Sequence, residues 1–384
     1  MVMRKLTKRD AVTKLKAMQE FTELCKKSSS DAIEGVLPYW PRLFNKLAVD
    51  TDHRVREATQ DAMEQLMFRV GRGLAPHLKS VISIWMSAQF DTYAPVSSAA
   101  QRSFQAAFAP EKQKSAIVFC KEVLCEFVKD NLLNQTASTL SDPKYVAEED
   151  RESKYNRTIS SSLLVLGHLI STCTDDINMQ MIDSYRDIFD QKKFWKLIKH
   201  KSIHIRASMF SLIATSCQQI PSLMQSLSAQ LCPAVMTSID DMEPVVSSHL
   251  WDAILSVLQS VPDCWEQVNI RKAVLPKLWS LLKNGGSGNA SAIFPNLLPF
   301  ISKLPAQVLV GGFYRELFPS MRTGLSCERV VSSPTQRAVV MTTYMECLRY
   351  CLLRSAGAGE EAKFVQDYLI KDEVMNLCSS TKRA

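Results

Sequence analysis

The chain has 384 residues, is 46% hydrophobic and 22% charged, and carries a formal charge of +7. It is long enough for a continuous core, too apolar for global disorder, and only mildly basic, which permits a nucleic-acid partner without demanding one. Glycine is scarce, at 12 residues, so the closely spaced turns of an all-β protein are missing and helices are favoured. The eleven cysteines contain no C-x-x-C pair and sit singly in apolar stretches, which argues against a secreted disulfide framework and fits reduced thiols in the cytosol. No apolar signal core opens the sequence, and the longest greasy run, 163–170, is far short of the roughly 20 residues that a helical membrane span needs. No membrane partner is expected, and the sequons at Asn134, Asn156 and Asn289 read as chance matches.

The first element is a basic helix. Leu15, Met18, Phe21 and Leu24 recur at three-residue steps, and Thr7 with Asp10 can cap the start. Lys5, Arg9 and Lys16 are expected on one outer side of that helix, as a solvated face. Residues 35–68 carry the clearest signal. An apolar helix over about 38–49 is followed by a turn holding Asp50 and Asp52. A second helix from about residue 54 then turns Val55, Ala58, Ala62, Met63 and Leu66 inward. Neither helix can bury its stripe alone, so each pair must stack on a neighbour.

The unit recurs. A step of 41 carries Asp50 to Asp91, Val55 to Val96 and Met63 to Phe104; a step of 150 carries Val55 to Ile205 and Arg56 to Arg206; a further 41 reaches Asp241, Val246 and Ile254. Two helices every 41 residues predict an all-α fold of the HEAT/armadillo-like helical-repeat type, an α-α superhelical solenoid. The turn Asp is expected to cap the second helix and the Arg to pack its stem along the stack. The predicted organisation is repeats over 1–133, an acidic loop insertion over 134–156, and further repeats over 157–384 that weaken after 305. Helices are expected near 112–133 and 157–171, over 274–283 and 293–304, and weakly over 334–370, with a frayed end at 379–384.

The sequence offers no catalytic constellation. Gly285, Gly286 and Gly288 lack the Lys-Ser/Thr of a phosphate loop and are read as an inter-helix turn. His200 and His204 share a helical spacing but have no third ligand, so no metal is assigned to them. Cys347 with Cys351, and Cys120 with Cys125, are read as buried thiols, and Trp85, Trp195, Trp251, Trp265 and Trp279 as core.

Long ordered words carry a further signal: MVMRKLTKRDAVTKLKAMQEF at 1–21, GVLPYWPRLFNKL and DTDHRVREAT within 35–59, WMSAQFDTYAPVSSAAQRSFQAAFAPEKQ at 85–113, TLSDP at 139–143, KKFWKLIKH at 192–200, SIDDMEPVV at 238–246 and LLPFISKLP at 297–305. In these the chain resembles the N-terminal region of the listerin family of RING-type ubiquitin ligases, strongly to about residue 305 and more thinly beyond. The resemblance implies a cytosolic, monomeric docking segment of ribosome-associated quality control. Its implied partners are the large ribosomal subunit with stalled peptidyl-tRNA and nuclear export mediator factor. The ubiquitin-conjugating enzyme would be reached only through a zinc-binding RING. No RING cysteine/histidine array occurs in these residues, so catalysis and zinc are expected outside them, and the sequence reads as a fragment. Under this reading Arg4, Lys5, Lys8, Arg9 and Lys16 are the candidate contacts to phosphate or acidic protein. The other open reading is a stand-alone HEAT adaptor with no link to ubiquitin.

Overall fold

The computed structural model describes residues 2–355 and 359–375, and every regular element among them is helical. The tail at 379–384 lies outside the described residues. The chain divides into two compact units, 1–215 and 216–384.

The first unit runs α1 Val2–Leu6, α2 Ala11–Lys27, α3 Ser30–Glu34, α4 Trp40–Leu47, α5 His53–Val70, α6 Leu78–Ala88, α7 Ala94–Ala107, α8 Pro110–Phe119, α9 Lys121–Leu133, α10 Ala137–Leu140, α11 Glu148–Thr172, α12 Asp175–Gln180, α13 Ile182–Phe189 and α14 Lys192–Trp195, and enters α15, Ile203–Gln219. The second contains α16 Pro221–Ser226, α17 Ser228–Met236, α18 Pro244–Ser260, α19 Leu275–Lys283, α20 Ala290–Ile293, α21 Leu297–Ser302, α22 Gly311–Leu325, α23 Glu328–Val331, α24 Pro334–Arg354 and α25 Glu360–Tyr368. The long second helices α5, α7, α15 and α18 begin at 53, 94, 203 and 244, so the steps of 41, 150 and 41 in the sequence are steps between equivalent helices.

The inward positions make the core. Val55, Ala62, Met63 and Leu66 of α5 are buried, as are Val96, Ala99 and Phe104 of α7. Aromatic side chains run through this stack without a break: Phe21 on Trp40 at 5.1 Å, Trp40 to Phe44 at 5.9 Å, Phe44 to Trp85 at 6.5 Å, and Trp85 to Phe104 at 5.2 Å. Such ring pairs add to the burial itself. Trp195 and Trp251 are buried too, whereas Trp265 and Trp279 are half-buried.

The stretch 134–156 differs from the expected loop. Thr136 and Thr139 form a reciprocal capping box around α10, and α11 begins at Glu148, nine residues ahead of the predicted start. The acidic run Glu148, Glu149 and Asp150 fills the first turn of α11, where the positive helix end favours carboxylates. Those charges masked the helix because they leave no apolar stripe to read. Deeper in α11, three successive serines each face a different neighbour, as a 100° step per residue dictates. Ser160 bonds Ser208 at 2.8 Å, Ser161 bonds Ser87 at 2.7 Å, and Ser162 accepts from Asn131 Nδ2 at 2.9 Å.

In the second unit the glycine turn has the left-handed backbone expected of it, with φ of 58°, 68° and 92° at Gly285, Gly286 and Gly288. Gly285 and Gly286 are buried within it. Gly324 of α22 passes so close to the end of α19 that an added Cβ would lie 2.2 Å from the Leu282 carbonyl oxygen. The buried Glu373 carboxylate accepts from Tyr344 at 2.6 Å and Tyr368 at 2.8 Å, and pairs with Arg322.

Candidate docking surface

The N-terminal cations are not carried on one helix. Asp10 accepts the Thr13 N–H at 2.7 Å and starts α2, while Thr7 Oγ1 donates to the Arg4 carbonyl at the close of α1. Lys5 therefore lies on α1, Arg9 in the link, and Lys16 on α2. Asp10 caps α2 as expected, whereas Thr7 bonds back into α1, so the helix that begins after Asp10 carries Lys16 but neither Lys5 nor Arg9.

The five differ in how free they are. Lys5 pairs with Glu20 at 3.0 Å, and the Arg9 guanidinium lies 3.6 Å from the ring centre of Tyr145, in the link between α10 and α11. Lys144 approaches the same ring at 5.4 Å. Arg4, Lys8 and Lys16 are exposed, with no ion pair among the described residues. The remaining N-terminal lysine, Lys14, is buried and pairs with Asp50.

Lys14 opens a charged ladder at the repeat turns that the sequence reading only partly anticipated. Asp50, Asp91 and Asp241 do not cap the second helices. Each accepts the N–H two residues ahead, at Asp52 (3.1 Å), Tyr93 (2.9 Å) and Glu243 (3.3 Å), and those residues occupy the cap positions. Asp52 caps α5 itself, and the Arg54 side chain bonded to it holds its carboxyl down to about 2. Arg56 donates to the carbonyls of Asp50 at 2.9 Å and Thr51 at 3.1 Å, then reaches Asp91 of the next unit with Nε at 2.8 Å. Both side chains of the Arg56–Asp91 pair are only 4% exposed. Arg157 of α11 joins them, 3.6 Å from Asp91 and donating to the Asp50 carbonyl at 3.1 Å. Burial draws Arg157 down to about 10 and also lowers Lys154, whose ammonium donates to the Leu140 carbonyl at 2.9 Å.

At the step of 150 the same frame returns with one substitution. Arg206 donates to the carbonyls of His200 at 2.9 Å and Lys201 at 3.3 Å, as Arg56 does to Asp50 and Thr51. His200 stands at the Asp position, and its Nδ1 accepts the Ser202 N–H at 3.0 Å. That hydrogen bond needs the neutral ring, and burial lowers the His200 pKa accordingly. No group of three His, Cys, Asp or Glu residues among those described could hold a metal ion. Nor is any helix among them long and apolar enough to cross a membrane.

The cysteines are unpaired among the described residues, and all of them except the half-buried Cys327 are buried. Burial pushes Cys125 and Cys351 up to about 12, the opposite of an activated thiolate.

Stacked helix pairs, a 41-residue step and Asp–Arg turns define the class: an all-α HEAT-like helical-repeat protein. Among solved structures it is similar to yeast importin-beta (Kap95p), with 10% identity, a TM-score of 0.42, and coverage of 100% of this chain and 53% of that one. It is also similar to importin beta in an ammonium sulfate condition, at 14% identity and a TM-score of 0.38, covering 97% and 51% of the two chains. Residues 1–304 match the family described as E3 ubiquitin-protein ligase listerin, N-terminal domain, and the chain belongs to that family. It is 44% identical to the E3 ubiquitin-protein ligase listerin of Gallus gallus over 98% of its length and 46% identical to that of Xenopus tropicalis over 95%. The Drosophila melanogaster relative is 37% identical over 91%. The chain spans 21%, 22% and 21% of these three relatives, about a fifth of each.

Proposed function

We propose that this chain is the docking arm of a listerin-type ubiquitin ligase. It binds the large ribosomal subunit carrying stalled peptidyl-tRNA, together with nuclear export mediator factor, in the cytosol. Ubiquitin transfer belongs to a zinc-binding RING outside these residues, which is where the ubiquitin-conjugating enzyme engages. The observation that carries the reading is membership of the listerin N-terminal family over residues 1–304. The exposed, unpaired Arg4, Lys8 and Lys16 are consistent with it, because cations without internal partners are available to phosphate.

The test is co-sedimentation of the purified chain with large subunits carrying peptidyl-tRNA and the partner factor, across a salt series. Retention at low salt that falls with ionic strength supports the proposal. A chain that ignores those particles at low salt is an adaptor of another kind.

A further inference from the structure

The first unit carries an apolar groove that none of the five N-terminal cations lines. It opens where the end of α5, the 3₁₀ turn Gly71–His77 and the start of α6 face the end of α7 and one side of α8. Its volume is about 390 Å³, at the lower end of the roughly 300–1,000 Å³ typical of ligand pockets. Met67, Leu74, Leu78, Phe108 and Ala116 form the floor and walls, and Phe119 stands at the lip. Leu74 and Leu78 are buried, whereas Phe119 is 60% exposed, a large apolar ring left in water.

The charged residues that line the groove have one sign. Arg72 and Lys112 line it, both exposed and without an ion pair among the described residues. The Lys79 ammonium lies 4.8 Å from the ring centre of Phe119. No carboxylate lines the groove; Glu111, beside Lys112 in the first turn of α8, is not among the lining residues.

The geometry points to this groove as a docking site for an amphipathic helical segment of a partner protein, with two or three large apolar side chains on one face and carboxylates flanking them. The surrounding elements are helical turns whose backbone groups bond within themselves, so they offer no free strand edge for an added β-strand. Recognition must come through side chains, and a helix presents them at i, i+3, i+4 and i+7. The cations require acidic flanks, and the aromatic lip supplies an anchor of the kind that dominates binding energy.

A random-peptide library displayed on phage, selected against the full 384-residue chain, tests this. The expected winners carry apolar residues at helical spacing with Asp or Glu beside them. As labelled peptides in fluorescence anisotropy they should bind at least tenfold more weakly to Ala75→Glu and to Phe119→Ser. Ala75 and Phe119 are both exposed, so the two variants should keep the parent's thermal melt. Lys112→Glu should weaken the acidic peptides and recover binding to their Glu-to-Lys counterparts. Three results would overturn the inference: no enrichment, winners that are basic or unpatterned, or winners indifferent to Ala75→Glu and Phe119→Ser. A self-association of the chain that Ala75→Glu abolishes in sedimentation velocity would assign the groove to a second copy instead.

Discussion

Asp50, Asp91 and Asp241 look like helix caps in the sequence, but their role is one step earlier. Each folds the turn by accepting its own i+2 N–H, and Asp91 also receives the buried Arg56 guanidinium from the preceding unit. Removing one partner of a buried pair leaves the other charge uncompensated, a loss of about 3–5 kcal/mol. Asp91→Ala should therefore destabilise the chain by that order in urea denaturation. Asp52→Ala, which removes only a capping side chain, should cost about 1 kcal/mol.

His200 makes the same turn with a titratable acceptor. Its folded pKa lies below the unfolded value of roughly 6.5, so the unfolded chain takes up the proton first. The stabilising contribution is complete above that unfolded value and is lost as pH falls below it toward the folded pKa. His168, also lowered by burial, acts in the same direction. His200→Asn keeps the turn without the titration, so its melting temperature should decline less than the parent's between pH 6.5 and 5. Asp52, held at about 2, contributes in a separate window: its share is present above the usual carboxylate value and lost toward pH 2.

At the scale of elements, the close crossing of α19 and α22 depends on a missing side chain. Gly324→Ala places a Cβ 2.2 Å from the Leu282 carbonyl, whereas an added Cβ at Gly312, in the same helix, meets nothing within 4 Å. The first change should destabilise by about 1–3 kcal/mol and the second should be neutral or slightly stabilising, as urea midpoints will show. The link between α10 and α11 rests on Tyr145 beneath Arg9. Tyr145→Ala should speed amide exchange there while leaving α5 and α7 unchanged. These contacts also show what the sequence could and could not tell. The periodicity of α5, α7, α15 and α18 was legible because each helix buries one stripe, and apolar spacing records that directly. The start of α11 was not, because its first turn is acidic, no side chain caps it, and the serine contacts lie further along the helix. The break at Asp10 was visible as a cap but not as an interruption. The groove beside α8 was invisible because its walls come from consecutive elements between residues 67 and 119 that only tertiary packing brings face to face.

For the whole molecule, the five candidate contact cations divide into members with and without an internal partner. Lys5 is committed to Glu20 and Arg9 to Tyr145, which leaves Arg4, Lys8 and Lys16 for a polyanion. Each phosphate contact contributes about 0.7–0.9 to the slope of log K against log salt. Reversing the charge of Arg4, Lys8 and Lys16 together should flatten the slope for binding to large subunits by about two units, and Lys5→Ala should leave it nearly unchanged. The cations themselves are visible in the sequence, while their division into tied and untied charges needed the tertiary contacts.

The sulfur atoms give the chain a built-in gauge. Among the described residues, nine thiols in the interior, from Cys25 in α2 to Cys351 in α24, are spread along both units. An alkylating reagent can reach each of them only when its own stretch of helices opens. Timed labelling followed by peptide mass spectrometry would rank those openings from one end to the other, and would show whether the array comes apart helix pair by helix pair or all at once.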